Sequence, residues 1–298
     1  MDSINLHTSL IHSLLDDLYM SKKISIDVLR LDLVHPIVSG NKWFKLKEYI
    51  REAQEQEKDT ILTFGGAYSN HIVATAAACN AVGLKSIGLI RGEKPSSCSP
   101  TLEQASSLGM QLVFVDRNTY SRKQVPDHIN IKNVYVVNEG GYGIKAAKGA
   151  ATILDLVDQT KYTHVITAVG TGTTLAGIVE GSTQQECIGI SVLKNNYSLQ
   201  AEINALLFQE NKNRFTLIHD YHFGGYAKKT DGLINFMNSW FARTNIPSDF
   251  VYTAKLFFAL DDLIKKNYFP EQSRLLAIHS GGLQGNRSLQ KGTLIFGD

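Results

Sequence analysis

Three short stretches carry reactive or anion-binding side chains, and each lies where an apolar run gives way to a helical pattern. The first is Ser39-Gly40-Asn41-Lys42, with Lys45 and Lys47 close behind. A lysine amine acts as a nucleophile or base only when partly deprotonated, which burial favours. Taken alone, the three lysines read as the solvated face of a helix. The second stretch runs from Gly65-Gly66 to Ser69-Asn70-His71. It sits at a strand-to-helix junction, where α/β sheets bind ligands. Ser69 or Asn70 would equally serve as the helix cap, and His71 reads as a surface or capping group. The third is 164-HVITAVGTGTTLAG-177. Its strand passes through Ala168 into Gly170-Thr171-Gly172-Thr173-Thr174 and then a helix. Glycines let the backbone approach an anion, freed amides at the helix start point toward it, and threonine hydroxyls add donors. The loop suits a phosphate; a tight turn capped by threonine is the plainer alternative.

The kind of phosphate is narrowed by what is missing. A P-loop ends in Gly-Lys-Ser/Thr, and no lysine is present here. A dinucleotide fingerprint needs a third glycine where Leu175 stands, and an acidic residue about 20 positions later, where Lys194 is the charged group on offer. A nicotinamide-linked oxidoreductase is therefore the weaker reading. Two further segments carry tyrosines: Tyr226 follows Gly224-Gly225, and Tyr252-Thr253 follow an acidic-aromatic turn. Tyrosines in isolation belong to cores. His219 and His222 form an H-x-x-H without a third ligand, so no metal is expected.

The elements that must position these groups alternate. Strands are expected over 25–31, 60–64, 86–90, 111–115, 133–137, 164–169, 187–192, 215–219 and 275–279. Several are almost continuously apolar, as strands covered on both faces are. Helical patterns at 70–83, 101–109, 145–159 and 199–209 lie between them. This is the order of βαβ units with parallel sheets, an α/β chain. Strands near 60–137 form one block and those near 164–279 another, with 138-NEGGYG-143 reading as the link between domains.

Composition excludes several classes. The net charge of +2 comes without a basic run, so nothing points to nucleic acid or a charged membrane surface. No apolar run approaches the ~18 residues of a membrane span. The N-terminal MDSINLHTSLIHSLLDDLYMSKK has no basic leader and its apolar residues are interrupted, so it does not read as a signal peptide. Cys79, Cys98 and Cys187 form no CxxC pair; an odd, scattered set implies reduced thiols and a cytoplasmic protein.

Taken in order, these motifs resemble the pyridoxal-phosphate enzymes of fold type II, the tryptophan synthase β-like group. The likeness is to the 1-aminocyclopropane-1-carboxylate deaminase and D-cysteine desulfhydrase family, and it extends over residues 25–285. The resemblance implies two doubly wound domains with mostly parallel sheets, a large one from 1–44 and 144–298 and a small one, 45–143, inserted in it. It implies pyridoxal 5'-phosphate as cofactor, a small amino acid as substrate, and a homodimer. Lys42 would link covalently to the cofactor, leaving Lys45 and Lys47 solvated on the following helix. Ala168 to Thr174 would hold the phosphate, and Asn70 the phenolic oxygen. Ser69 would sit beside the substrate Cα or carboxylate. Tyr226 and Tyr252 would be active-site tyrosines, and Thr253 would face the pyridine nitrogen. Deaminases of this family carry glutamate at that last position, whereas the desulfhydrases carry threonine. Thr253 therefore favours simple β-elimination, where the leaving group carries off the electrons, over opening of a cyclopropane. The chain departs from the family pattern at Ser39-Gly40-Asn41-Lys42-Trp43-Phe44, at Arg30-Leu31-Asp32-Leu33 and at Gly225-Tyr226-Ala227-Lys228-Lys229. A ring-opening deaminase, or a protein that binds the cofactor without turnover, are the alternatives.

Overall fold

The computed structural model describes residues 10–297. The first nine residues, part of the stretch read as no signal peptide, lie outside the described residues, as does Asp298. The nine expected strands are present, each end within one residue of its expected place. A tenth precedes them. The strands are β1 (Ile11–Leu14), β2 (Ser25–Arg30), β3 (Thr60–Gly65), β4 (Lys85–Arg91), β5 (Met110–Val115), β6 (Val134–Val137), β7 (His164–Val169), β8 (Glu186–Ser191), β9 (Phe215–Ile218) and β10 (Arg274–His279).

They form two sheets. The larger has the order β1-β2-β10-β7-β8-β9, and the smaller β5-β4-β3-β6. Every pairing is parallel except that of β1, which runs antiparallel along β2 with Ile11 opposite Leu29. The smaller sheet is drawn entirely from the chain between Thr60 and Val137. All six residues of β3 and of β7 are buried, which is why those runs lack alternation.

Five helices carry or cover the site: α1 (Asn41–Glu55), α2 (Asn70–Ala81), α3 (Ile144–Ala151), α4 (Thr173–Gly181) and α5 (Thr253–Lys265). The helix expected over 145–159 is shorter, because the chain tightens to a 3-10 turn at Thr152–Leu156. The β-branched pair Thr152-Ile153 is at the change of geometry. Helix α1 buries a wide stripe of Trp43, Phe44, Leu46, Tyr49, Ile50 and Ala53. That stripe packs into one apolar core together with Ile61, Ala74 and Val137 on one side and Leu29, Val169 and Ile278 on the other. The two sheets are thus joined by continuous packing beneath the site. No helix among the described residues is long and apolar enough to cross a membrane.

Candidate active site

A cavity of about 1030 Å³ opens where the carboxyl ends of β3, β7 and β10 converge. Strand ends of this kind are where open α/β sheets place ligands. The residues leaving those strands line it: Gly66 to His71 after β3, Gly170 to Gly172 after β7, and Ser280 to Gly282 after β10.

Lys42 enters the cavity from the first turn of α1. The preceding Gly40 makes this entry possible. Its φ of +68° is left-handed, and a Cβ there would lie 1.9 Å from the Ser280 carbonyl oxygen, so no side chain fits. The turn is also tied down by Arg30, which grips Asp32 through two hydrogen bonds at 2.8 and 2.7 Å, and by Ser39, whose hydroxyl donates to the Asp32 carbonyl at 3.3 Å. Lys42 Nζ donates to Asn41 Oδ1 at 2.9 Å, and Asn41 Nδ2 donates to Thr174 Oγ1 at 2.7 Å. Asn41 therefore couples the amine to the glycine-threonine loop. Burial lowers the Lys42 pKa to about 8, while the carboxylate of Asp249 pulls it upward. The amine has a neutral fraction near pH 7 that an ordinary lysine lacks.

Lys45 is the largest departure from the sequence reading. It is 2% exposed rather than solvated, lines the cavity, and donates from Nζ to the Gly140 carbonyl at 2.6 Å. Burial, with Lys42 adding repulsion, holds its pKa well below the usual lysine range. His71, expected at the surface, is likewise buried. Its Nε2 is 2.9 Å from Thr63 Oγ1, and its Nδ1 has no partner among the described residues. Burial, then Lys42 and Lys45, keep it neutral. The reason is the same for both residues. The 138–143 stretch, read as a link, folds back over them: a Cβ on Gly141 would lie 3.3 Å from Lys45 Cε and 3.4 Å from His71 Cε1. Lys47, by contrast, is exposed as expected.

The end of β7, the loop after it and the start of α4 bring Ala168, Gly170, Thr171, Gly172 and Thr174 to the cavity. Gly172 is left-handed at φ +81°, and a Cβ there would meet Ile203 Cγ1 at 2.3 Å. This tight turn delivers the amides at the start of α4 to the cavity wall. Thr173 does not line the cavity. It is fully buried, with its hydroxyl 3.3 Å from that of Thr171.

Ser69 and Asn70 also line the cavity. Ser69 occupies the N-cap position of α2 but makes no side-chain cap bond, so its hydroxyl is uncommitted to the helix. Asn70 Nδ2 donates to the Gly282 carbonyl at 3.3 Å, while its buried Oδ1 has no partner among the described residues. An orphaned buried acceptor at a cavity wall suits a ligand donor. Tyr226 and Tyr252 share the wall, their rings edge to face at 6.1 Å. Burial, reinforced by Tyr226, pushes the Tyr252 hydroxyl well above its ordinary range, so it stays protonated.

Thr253 does not reach the cavity. It is fully buried, and its hydroxyl donates to Asp249 Oδ1 at 2.7 Å while accepting from the Asp249 amide at 2.8 Å. Its hydroxyl is thus engaged by Asp249. The carboxylate responsible, Asp249, was missed in the sequence. It also accepts from the amides of Val251, Tyr252 and Thr253 at 2.8–2.9 Å, an N-terminal capping arrangement. Its signal was an aspartate four residues before a helix start. Glu139 was missed as well; it lines the cavity and is held by Tyr120 at 2.7 Å and by Lys123. His222 accepts from the Gly224 amide at 3.0 Å, and among the described residues no cluster has the makings of a metal site.

Comparison with known proteins agrees with this fold. The family profile of pyridoxal-phosphate dependent enzymes matches residues 19–281. A protein of Pyrococcus abyssi provisionally named 1-aminocyclopropane-1-carboxylate deaminase is 28% identical over 89% of this chain and 87% of its own. The D-cysteine desulfhydrase of Klebsiella pneumoniae is 26% identical, covering 86% of each chain. Among solved structures, an ACC deaminase homologue superposes with a TM-score of 0.80 at 24% identity, over 93% of this chain and 90% of that one.

Proposed function

The chain belongs to the pyridoxal-phosphate dependent enzymes, and on that premise we propose that it is a lyase of the 1-aminocyclopropane-1-carboxylate deaminase and D-cysteine desulfhydrase branch. It releases ammonia and a 2-oxo acid from a small amino acid, and β-elimination from a D-cysteine-like substrate is the favoured reaction. The observation that carries this reading is one cavity wall shared by the Lys42 amine, the uncommitted Ser69 hydroxyl and a protonated Tyr252.

The residues fit the cofactor. Lys42 offers an amine of lowered pKa for the covalent link. The amides at the start of α4, with the hydroxyls of Thr171 and Thr174, suit a phosphate, and Gly172 leaves the backbone room to close on it. Asn70, whose buried Oδ1 lacks a partner among the described residues, would hydrogen-bond the pyridoxal phenolic oxygen. Pyridoxal phosphate, when bound, supplies the carbonyl that captures the substrate amine and the ring that accepts electrons as the α-proton leaves. Lys42 or Ser69 would take the α-proton from the substrate, and Ser69 would otherwise hydrogen-bond the substrate carboxylate. Tyr252 or Tyr226 gives a proton to the departing thiolate. Because the leaving group takes the electrons, the reaction makes little demand on an acid at the ring nitrogen, and the threonine that the family resemblance assigns to that nitrogen, Thr253, is not one.

The same reading takes the segment 45–143 as a unit that closes over the cavity, supported by its self-contained sheet. It takes the protein as a cytoplasmic homodimer, supported by the family resemblance and by the three free cysteines. The test is a side-by-side assay of the cofactor-loaded protein with D-cysteine and 1-aminocyclopropane-1-carboxylate. Pyruvate, sulfide and ammonia from D-cysteine are expected. 2-Oxobutyrate from the cyclopropane at a comparable rate would shift the reading to ring-opening, and no turnover of either would overturn it.

A further inference from the structure

Lys255 lies outside the cavity, yet it is a fully buried lysine that makes no ion pair among the described residues. It occupies the first turn of α5, where the helix dipole disfavours a cation. Its Nζ donates to two backbone carbonyls, His222 at 2.9 Å and Gly225 at 2.8 Å. Each of those carbonyls also closes a local turn, accepting from the Gly225 and Lys228 amides at 2.9 and 3.2 Å. The ammonium thus bridges two backbone carbonyls, with the carboxylate of Asp249 near enough to favour its charge.

The loop it grips needs holding. Phe223, Gly224, Gly225 and Ala227 have φ values of +51°, +91°, +119° and +52°, and two of these carry side chains that disfavour the left-handed region. Tyr226 stands among them. At 53% exposure its ring is not fixed by burial, and its ring contact is the edge-to-face one with Tyr252. Phe223 packs on Phe258 at 4.9 Å, which anchors one end of the loop but not the carbonyls beside Tyr226.

We propose that Lys255 is a positioning residue for Tyr226, acting as a built-in cation that gathers the carbonyls of His222 and Gly225 and so fixes the strained loop that presents this tyrosine to the cavity. Both cavity tyrosines are then set from one helix start. Asp249 fixes the backbone of Tyr252, and Lys255 fixes the loop of Tyr226. The link to turnover rests on the function proposed above; the link to loop order does not.

Hydrogen–deuterium exchange separates the two. In cofactor-loaded Lys255→Met, which keeps the length and packing but not the charge, exchange of amides 222–228 should rise about tenfold. Amides of the β7 and β10 strands should stay unchanged. Turnover of D-cysteine should fall mainly in kcat, with KM little altered, since Tyr226 acts on the leaving group. Should Lys255→Met fail to fold, Lys255→Ala prepared in propylammonium carries the test. Propylammonium should restore slow exchange in 222–228, whereas propanol of the same shape should not. Exchange within twofold of wild type, a rise spread over the whole chain, or equal rescue by propanol would each overturn the proposal. Unchanged turnover with a loosened loop would instead count against the assigned role of Tyr226.

Discussion

Replacing Lys42 with methionine should make the cofactor-free protein more stable at neutral pH, not less. The folded protein lowers this amine from 10.5 to about 8, through burial partly offset by Asp249. At ~1.4 kcal/mol per unit, holding a protonated amine there costs roughly 3 kcal/mol, which water in the open cavity reduces to about 2. The lost hydrogen bond to Asn41 returns about 1 kcal/mol of that. The net gain expected for Lys42→Met is therefore ~1 kcal/mol. The pH dependence fixes the sign. Because the folded pKa is lowered, the unfolded chain binds the proton more readily. The penalty is full at and below the folded value, and it fades as pH rises toward the unfolded one. The variant's advantage should thus be present at about pH 7 and vanish, or reverse by ~1 kcal/mol, near pH 10.5. Urea unfolding of both proteins at the two pH values measures it. An advantage independent of pH, or a variant less stable at neutral pH, would refute the claim that Lys42 is held in a strained protonation state.

Gly172→Ala should weaken cofactor binding and lower stability together. The left-handed backbone costs an L residue ~1–2 kcal/mol, and the clash with Ile203 adds ~1–3 kcal/mol; calorimetric titration and thermal melts measure the two effects, and a normal melt with normal binding would contradict the cradle. Thr253→Glu should not create a ring-opening enzyme. It would place a second carboxylate against Asp249 in a fully buried site, and a loss of ~3 kcal/mol or more in chemical denaturation is expected; a soluble variant of wild-type stability would contradict that cost.

What the sequence revealed follows from where the physics is local. Continuously apolar runs such as 60-TILTF-64 and 164-HVITAV-169 admit few interpretations once turn residues bound them, so the parallel strands were found. β1 was missed because His12 and Ser13 interrupt it and only its pairing with β2 makes it a strand. The glycine-threonine loop announced itself because glycine at a strand end has a backbone purpose. Lys45 did not, since a lysine's burial depends on a partner nearly a hundred residues away, the Gly140 carbonyl. A clue was nonetheless present: Trp43, Phe44 and Leu46 on both sides of it are all buried. Motif order located Thr253 near the site but did not foresee that the Asp249 carboxylate, one helical turn earlier, would claim its hydroxyl.

The larger sheet has a consequence for how the chain is made. Val28 pairs with Ala277, near opposite ends of the sequence, whereas the smaller sheet closes within 60–137. On a ribosome the smaller sheet can assemble as soon as Val137 has emerged. β2, which buries Ile26, Val28 and Leu29, must wait with one edge unpaired until β10 has been synthesised. The vulnerable interval is therefore late and long. Truncations near the C-terminus that remove β10 should yield aggregation rather than a smaller folded protein, because they delete the strand that joins β2 to β7.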